Sequence, residues 1–405
     1  MRTAVVLIGA LDTKGQEFQY VKSIIENKGL QPLVIDVGVL DEPLFKPEVS
    51  SSEVAEAAGT TLAQLRADND RGQAVAVMAE GAQVIVQRLV QEGRVAGIFG
   101  MGGTAGTTVG ATAMKAVPIG VPKLLVSTVA SGNTRPYVGV KDVTMMYSVV
   151  DIAGLNKLSR TILSNAAYAL SGMVKEREAE AADTSDNKIT LGMTMFGVTT
   201  PCVTKVREIL ESKGYDILVF HATGSGGLAM EELIDAGFIQ GVADVTTTEL
   251  ADELVGGIFS AGPHRLEAAA QAGIPQVVSV GALDMVNFGP RETVPPQWSN
   301  RHFYQHNPTT TLMRTTVEEN EQLGVMLAEK LNKCTGPAVL VFPLGGVSLL
   351  DRAAQAFDGP EQRQALLAGI KSRLKPEIPL LEVDTDINDP SVALLIAERL
   401  NSLLK

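Results

Sequence analysis

Cysteine is nearly absent from this sequence: Cys202 and Cys334 are the only two in 405 residues. They lie far apart and in no metal-type spacing, which excludes a disulfide framework and a zinc knuckle and fits a reducing compartment. Long apolar runs are also missing, since none approaches the roughly 18 residues needed to span a bilayer. The first residues, MRTAVVLIGALDTKG, carry a short apolar run broken by Asp12 and Lys14, and read as a strand rather than a signal peptide. A cytoplasmic protein with no membrane association is expected. Positive charge is outnumbered, with 34 Lys and Arg against 46 Asp and Glu and a net charge of −12. Such a surface repels a polyanion, so a nucleic-acid partner is not expected, although a local anion site remains open.

What is present is an α/β pattern. Hydrophobic residues make up 45% of the chain and 39 glycines are spread along it, as in a globular protein with many tight turns. At 405 residues the chain exceeds what one core usually holds, so two domains are expected. Apolar runs at 4–11, 32–37, 95–99, 123–129 and 143–147 alternate with amphipathic stretches, as do runs at 189–196, 217–221, 242–246, 276–280, 338–342 and 380–383. That rhythm predicts two doubly wound, Rossmann-like parallel-sheet domains. The charged segment KEREAEAADTSDNK has no apolar face after its first turn, which places an N-terminal domain at 1–175, a linker at 176–188 and a second domain at 189–405. Pro201 opens a helix, Thr316 and Glu319 have capping-box spacing, and Pro390 starts a last helix that could dock on either domain. No tandem repeat is visible, although each half carries a strand, a glycine-rich loop and a helix.

The strongest local signal is GIFGMGGTAGTT, residues 97–108, where a buried strand runs into a glycine turn and a helix near Thr104. Helix N-termini on the carboxyl edge of a parallel sheet present free N–H groups, and phosphate is their natural guest. Gly102 and Gly103 would let backbone approach the anion, with hydroxyls from Thr104 and Thr107. Gly100, Gly102 and Ala105 satisfy the dinucleotide fingerprint formally, but no acidic residue follows about 20 positions on, which disfavours NAD. The lysine-bearing P-loop pattern is absent too. The loops GALDTKG and STVASGNTR should converge on the same edge. There Lys14 would meet phosphate, Asp12 a hydrated Mg²⁺, and Ser131, Gly132 and Asn133 a ribose or phosphate. Arg71 opens a long helix against its dipole, which suits a residue facing an anion.

In the second half VFHATGSGGLAMEE repeats the strand, glycine turn and helix design, with His221 at the strand end and backbone at 224–227 suited to a carboxylate or phosphate. FPLGGVSLLD reads as a third such junction. His302 and His306 have i,i+4 spacing, but Pro308 argues for a loop and no third ligand is fixed, so no metal is assigned. His221, Glu249 and Arg314 form a candidate catalytic set for a hydrolase or lyase of small carboxylates or phosphoesters.

ALDTKGQEF, GMGGTAGTT, HATGSGGLAMEEL, DVTTTELADELVGG, LDMVNFGP, HNPTTTLMRTT and FPLGGVSLLD together resemble an uncharacterised bacterial and plant protein family. That family includes the ATP-binding inhibitory domain of the plant tobamovirus-resistance protein. The resemblance implies two Rossmann-like domains, an ATP site in the first and a homodimer, with phosphates on Lys14, Gly102, Gly103 and Thr104 and with Arg71 and the 131–133 loop nearby. An ATP-binding protein, with or without turnover of a small acidic substrate, is the leading expectation. A nucleotide-gated interaction module is the third.

Overall fold

The alternation of apolar runs and helical stretches becomes two parallel sheets in a computed structural model that describes residues 3–180 and 188–405. Contacts divide the chain into two units, Met1–Ser185 and Asp186–Lys405. The expected linker falls mainly on residues outside the described ones; its first part continues a helix that runs to Glu180. Among the described residues no helix is long and apolar enough to cross a membrane.

The first unit comprises β1 Ala4–Gly9, α1 Leu11–Asn27, β2 Pro32–Asp36, α2 Ser51–Ala57, α3 Leu62–Asp68, α4 Arg71–Gln91, β3 Val95–Gly102 and α5 Thr104–Lys115. It closes with β4 Lys123–Ser127, α6 Arg135–Val138, β5 Thr144–Tyr147 and α7 Lys157–Glu180. The strands lie in the order β2-β1-β3-β4-β5, and every pairing is parallel. Both faces are covered, as continuous apolar strands require. Val5 and Leu7 of β1 pack with residues of α1 and α7, while Val6 and Ile8 pack with residues of α2, α4 and α5.

The second unit begins with β6 Thr190–Met195, α8 Thr200–Ser212, β7 Asp216–His221, α9 Ser225–Asp235, β8 Gly241–Thr246, α10 Glu249–Val255, α11 Ala268–Ala272 and β9 Gln276–Gly281. It continues through β10 Met285–Phe288, β11 Phe303–Asn307, β12 Thr310–Arg314, α12 Val317–Leu331, β13 Ala338–Pro343, α13 Pro360–Arg373, β14 Leu380–Val383 and α14 Pro390–Leu403. Its main sheet has the order β14-β13-β9-β8-β6-β7, again all parallel. The last helix packs within this unit, with Val392, Ile396 and Leu400 against α8 and the sheet. The capping box at Thr316 and Glu319 forms, and Pro201 and Pro390 stand in first turns.

Two segments differ from expectation. LDMVNFGP and HFYQHNPTTTLMRTT form a three-stranded antiparallel sheet, β10-β12-β11, in which Pro308 and Thr309 make the hairpin turn instead of a long loop. FPLGGVSLLD starts no helix, because Asp351 folds the loop back on itself by accepting the N–H of Val347 at 3.1 Å, and the next helix waits for Pro360.

One buried ion cluster ties β8, α9, α10 and α11 together. The Arg265 guanidinium, 1% exposed, meets Asp244 through two bonds of 2.6 and 2.7 Å and Glu249 through one of 2.6 Å. The other oxygen of Glu249 accepts the N–H groups of Gly224 and Gly227 at the start of α9. A Cβ at Gly227 would stand 2.1 Å from Glu249 Oε2 and 2.6 Å from Arg265 Nε. Separating a buried pair costs about 3–5 kcal/mol, so Gly227→Ala should lower unfolding stability by about 3 kcal/mol or more. Urea midpoints of the two proteins check this; a loss below about 1 kcal/mol would show that the cluster yields to the methyl.

Candidate functional site

In the first sheet the strand order reverses between β1 and β3. Ligands of open parallel sheets bind outside the carboxyl ends at that reversal, where the flanking loops diverge to opposite faces. The register aligns Ile8 with Gly100, Gly102 with Ser127, and Ser127 with Tyr147. Lys14, Gly103 and the 131–133 loop therefore follow neighbouring strands on one rim.

The β1 side of the reversal is filled by the chain itself. Asp36, buried at the end of β2, accepts the N–H of Leu11 at the start of α1 and the N–H of Gly38, both at 2.9 Å. Burial pushes its carboxyl up from the usual range, and these two amides oppose that shift. Asp12 turns Oδ2 toward the N–H groups of Leu40, at 2.9 Å, and Asp41, at 3.4 Å, and its Oδ1 is buried. A Cβ at Gly38 would come within 2.6 Å of that carboxyl carbon, so glycine there makes room for Asp12. The carboxylate of Asp12, expected to meet a hydrated Mg²⁺, thus gives Oδ2 to the 38–41 turn and keeps Oδ1 without a hydrogen-bond partner among the described residues. Lys14 donates to the carbonyl of Ile152, while Glu17 accepts the N–H of Gly154 at 2.6 Å. Both hold the segment that leads from β5 to α7.

The β3 side is open. Gly103 precedes α5 and provides no side-chain cap. Other long helices that open just after a strand are all supplied. Asp36 serves α1, Asn156 serves α7, Asn388 serves α8, Glu249 serves α9, Thr316 serves α12 and Asp389 serves α14. Among the described residues, α5 and α13 have no such acceptor, and of the two only α5 opens directly from a strand end, β3, whereas α13 follows a long loop after β13. Gly102 is required by packing, since a Cβ there would lie 2.8 Å from Gly106 Cα, whereas a Cβ at Gly103 would meet only Thr128 Oγ1 at 3.8 Å. Thr104 is exposed on the first turn. Thr107 is buried and shares a 2.6 Å hydrogen bond with Ser127, so its hydroxyl braces α5 against β4. Ser131, Gly132 and Asn133 are exposed beyond β4, and Asn133 accepts the N–H of Arg135 at 3.2 Å in an Asx turn. Arg71 is exposed on the first turn of α4, capped by Asp70, and α4 ends near the foot of β3, which directs its start toward the carboxyl rim.

Beside Thr128 the rim opens into a cleft of about 280 Å³ lined by Thr128, Tyr147, Ser148, Val149, Val150 and Asp151. Sequence reasoning singled out Thr128 within STVASGNTR but missed the cleft, because its other residues, the end of β5 and the segment after it, carry no motif. Val149 adopts φ 64°, which costs an L-residue roughly 1–2 kcal/mol and is uncommon for a β-branched side chain. Such strain gathers at ligand clamps and switch regions.

In the second unit His221, Glu249 and Arg314 are not brought together as one set. His221 is exposed on the edge strand β7, its ring 5.5 Å from that of Phe196. Glu249 is buried between Arg265 and the first amides of α9, so the anion at the 224–227 backbone is the chain's own carboxylate. Arg314 bonds Asp351 at 2.8 Å and the carbonyl of Asp284 at 3.1 Å. The three share no partner. His302 precedes β11 and His306 lies within it, so four residues of extended chain separate them by roughly 13 Å.

Two further carboxyls, Asp284 in LDMVNFGP and Asp252 in DVTTTELADELVGG, take partners that are distant in sequence. Asp284 accepts from Ser348 at 2.8 Å and is pushed up to about 7, first by burial and then by Asp351. Asp252 accepts from Asn287 Nδ2 at 2.7 Å and Asn287 N at 2.9 Å, yet burial raises it to about 7. A carboxyl with a folded pKa above its unfolded value binds extra protons between the two, so its contribution falls as pH rises from about 4 to about 7 and is level above. Asp252→Asn removes that titration. Its stability relative to the wild type should therefore rise by a few kcal/mol, in order of magnitude, between pH 4.5 and 7.5. Urea melts at both values measure the difference, and a constant difference would refute the assignment.

Family models match both parts of the chain: the N-terminal domain of an uncharacterised protein family, UPF0261, over residues 3–179, and the C-terminal domain of that family over 188–404. A UPF0261 protein of Clostridium tetani is 50% identical over 406 residues, covering 100% of both chains. The ToMV resistance protein Tm-1(GCR237) of tomato is 46% identical over 307 residues, 75% of this chain and 41% of that one. The tomato ToMV susceptible protein tm-1(GCR26) is 42% identical over 382 residues, 89% of this chain and 50% of that one. A putative UDP-N-acetylglucosamine 2-epimerase structure from Listeria monocytogenes covers 99% of the chain at 11% identity with a TM-score of 0.23, too low to carry any chemistry across. With both domain models and a full-length relative at half identity in agreement, this chain belongs to the uncharacterised protein family UPF0261.

Proposed function

We propose that the first unit binds a nucleotide, ATP foremost, with its phosphates on the first turn of α5. The observation that carries this reading is that, among the described residues of the first unit, α5 is the long helix whose start receives no side-chain anion or cap from the chain, and it opens directly from β3 at the strand reversal. Free N–H groups and the positive end of the helix dipole favour phosphate there. Gly103 admits the anion to the backbone, Thr104 adds an exposed hydroxyl, and Arg71 and the 131–133 loop supply further donors from the same rim. Thr107 acts indirectly, by fixing α5 to β4 through Ser127. Lys14 reaches phosphate only by giving up the Ile152 carbonyl. ATP carries its own Mg²⁺ in this reading.

The test is calorimetric titration with ATP and Mg²⁺ of the wild type and of Thr104→Glu. A carboxylate on the first turn interacts favourably with the helix dipole, so the variant should melt at or above the wild-type temperature. It should nonetheless bind at least tenfold more weakly, because the new charge occupies the phosphate position. Absence of saturable binding by the wild type would remove the proposal, as would unchanged affinity in the variant. Lys14→Ala is the poorer probe, since it also releases the β5–α7 segment.

A further inference from the structure

Resting on that phosphate site, we infer that the cleft beyond β4 and β5 is the seat of the nucleoside and that Tyr147 forms its ring wall. Three observations combine. First, the cleft adjoins the phosphate position: Thr128, which lines it, stands 3.8 Å from the point where a Gly103 Cβ would be. β3 and β5 are two strand spacings apart, roughly 10 Å at the ends, a separation of the order of the span from phosphate to base.

Second, the opposite direction is closed. A nucleotide extending from α5 toward β1 and β2 would meet Asp36, already bound to Leu11 and Gly38, and the 38–46 loop, whose Leu44 packs where a Cβ of Gly15 would lie. Third, the cleft has the composition that a nucleoside needs. Tyr147 and Val149 are 43% and 55% exposed and Val150 is 37% exposed, an apolar wall on a rim otherwise polar. Thr128 and the exposed carboxylate of Asp151 border it and suit ribose hydroxyls or an exocyclic amine. Its volume of about 280 Å³ sits at the small end of ligand pockets and suits one nucleoside rather than a dinucleotide. The hydroxyl of Ser148, donating to the carbonyl of Val150 at 2.7 Å, closes the turn that carries this wall.

Calorimetric titration with MgATP and with magnesium tripolyphosphate separates base recognition from phosphate recognition. The wild type should bind ATP more tightly than tripolyphosphate. Tyr147→Ala should weaken ATP about three- to tenfold, the range of an aromatic stacking contact, and leave tripolyphosphate unchanged. Tyr147→Phe should retain ATP affinity, and melting curves verify that both variants fold. Equal wild-type affinities for the two ligands, or equal losses of both in Tyr147→Ala, would overturn the nucleoside seat while leaving the phosphate site standing. Failure of both ligands to bind the wild type would instead overturn the phosphate reading, and the seat with it.

Discussion

Backbone N–H groups at the start of a helix need a partner, and that requirement organises both units of this protein. A doubly wound sheet sets several helix starts along one rim, each with unsatisfied donors and a positive dipole end. Here the chain answers most of them from within. Asp36 is carried by β2 and serves α1 on the neighbouring strand; Glu249 opens α10 and serves α9; Glu231 lies in α9 and accepts the first amides of α11. Each donation crosses between elements, so the same carboxylate that satisfies a helix start also fixes one layer against the next. The surplus negative charge of the composition is thus partly structural.

Burying those carboxylates creates the next demand. Glu249, Asp244 and Glu231 converge, and only a delocalised cation with several donors satisfies all three. Arg265 does so with a forked geometry that an ammonium could not reproduce. Its guanidinium in turn forces Gly227 to lack a side chain. In the glycine-rich loop of the second unit, Gly227 is explained by an internal ion, while Gly224 and Gly226 are set by close backbone, Ser260 and His221 respectively. The glycines of the first unit divide differently, with Gly102 set by the approach of α5 to β3 and Gly103 left free. Similar sequences, strand, glycine turn and helix, have different reasons for their glycines.

The sheets were legible because buried parallel strands read as continuous apolar runs, and all eleven runs fall on strands of the two parallel sheets. The antiparallel sheet was not. β11 is exposed and rich in polar residues, and Pro308 in its hairpin looks like a break in structure when its partner strand is unknown. On the rim, Gly103 and Thr104 could be singled out from local pattern alone. The occupants of the other helix starts could not, since Asp36 and Glu249 act on amides 25 residues away. One signal was available: Asp36 ends a strand that is otherwise wholly apolar, and a charge retained there implies a buried partner. The cleft beside Tyr147 depends on the chain path after β5 and on a left-handed valine, neither of which has a local sequence signature.

Leaving out its extra edge strand and the antiparallel insertion, the second unit repeats the strand order of the first, with the reversal between β6 and β8 in place of β1 and β3. The same topology offers the same crevice, yet the second is closed by side chains. Thr199 bonds Thr246 at 2.7 Å across the two strand ends, Asn388 meets the start of α8, and Phe196 and Phe259 pack over the rim with Val198, Ala282 and Phe357. Topology therefore sets where a ligand could bind, and the chain's own donors and acceptors decide whether the place remains available. By that criterion the two units differ at the same topological position. In the first unit the start of α5 at that reversal has no side-chain cap among the described residues, whereas in the second the start of α8 is met by Asn388 and that of α9 by Glu249.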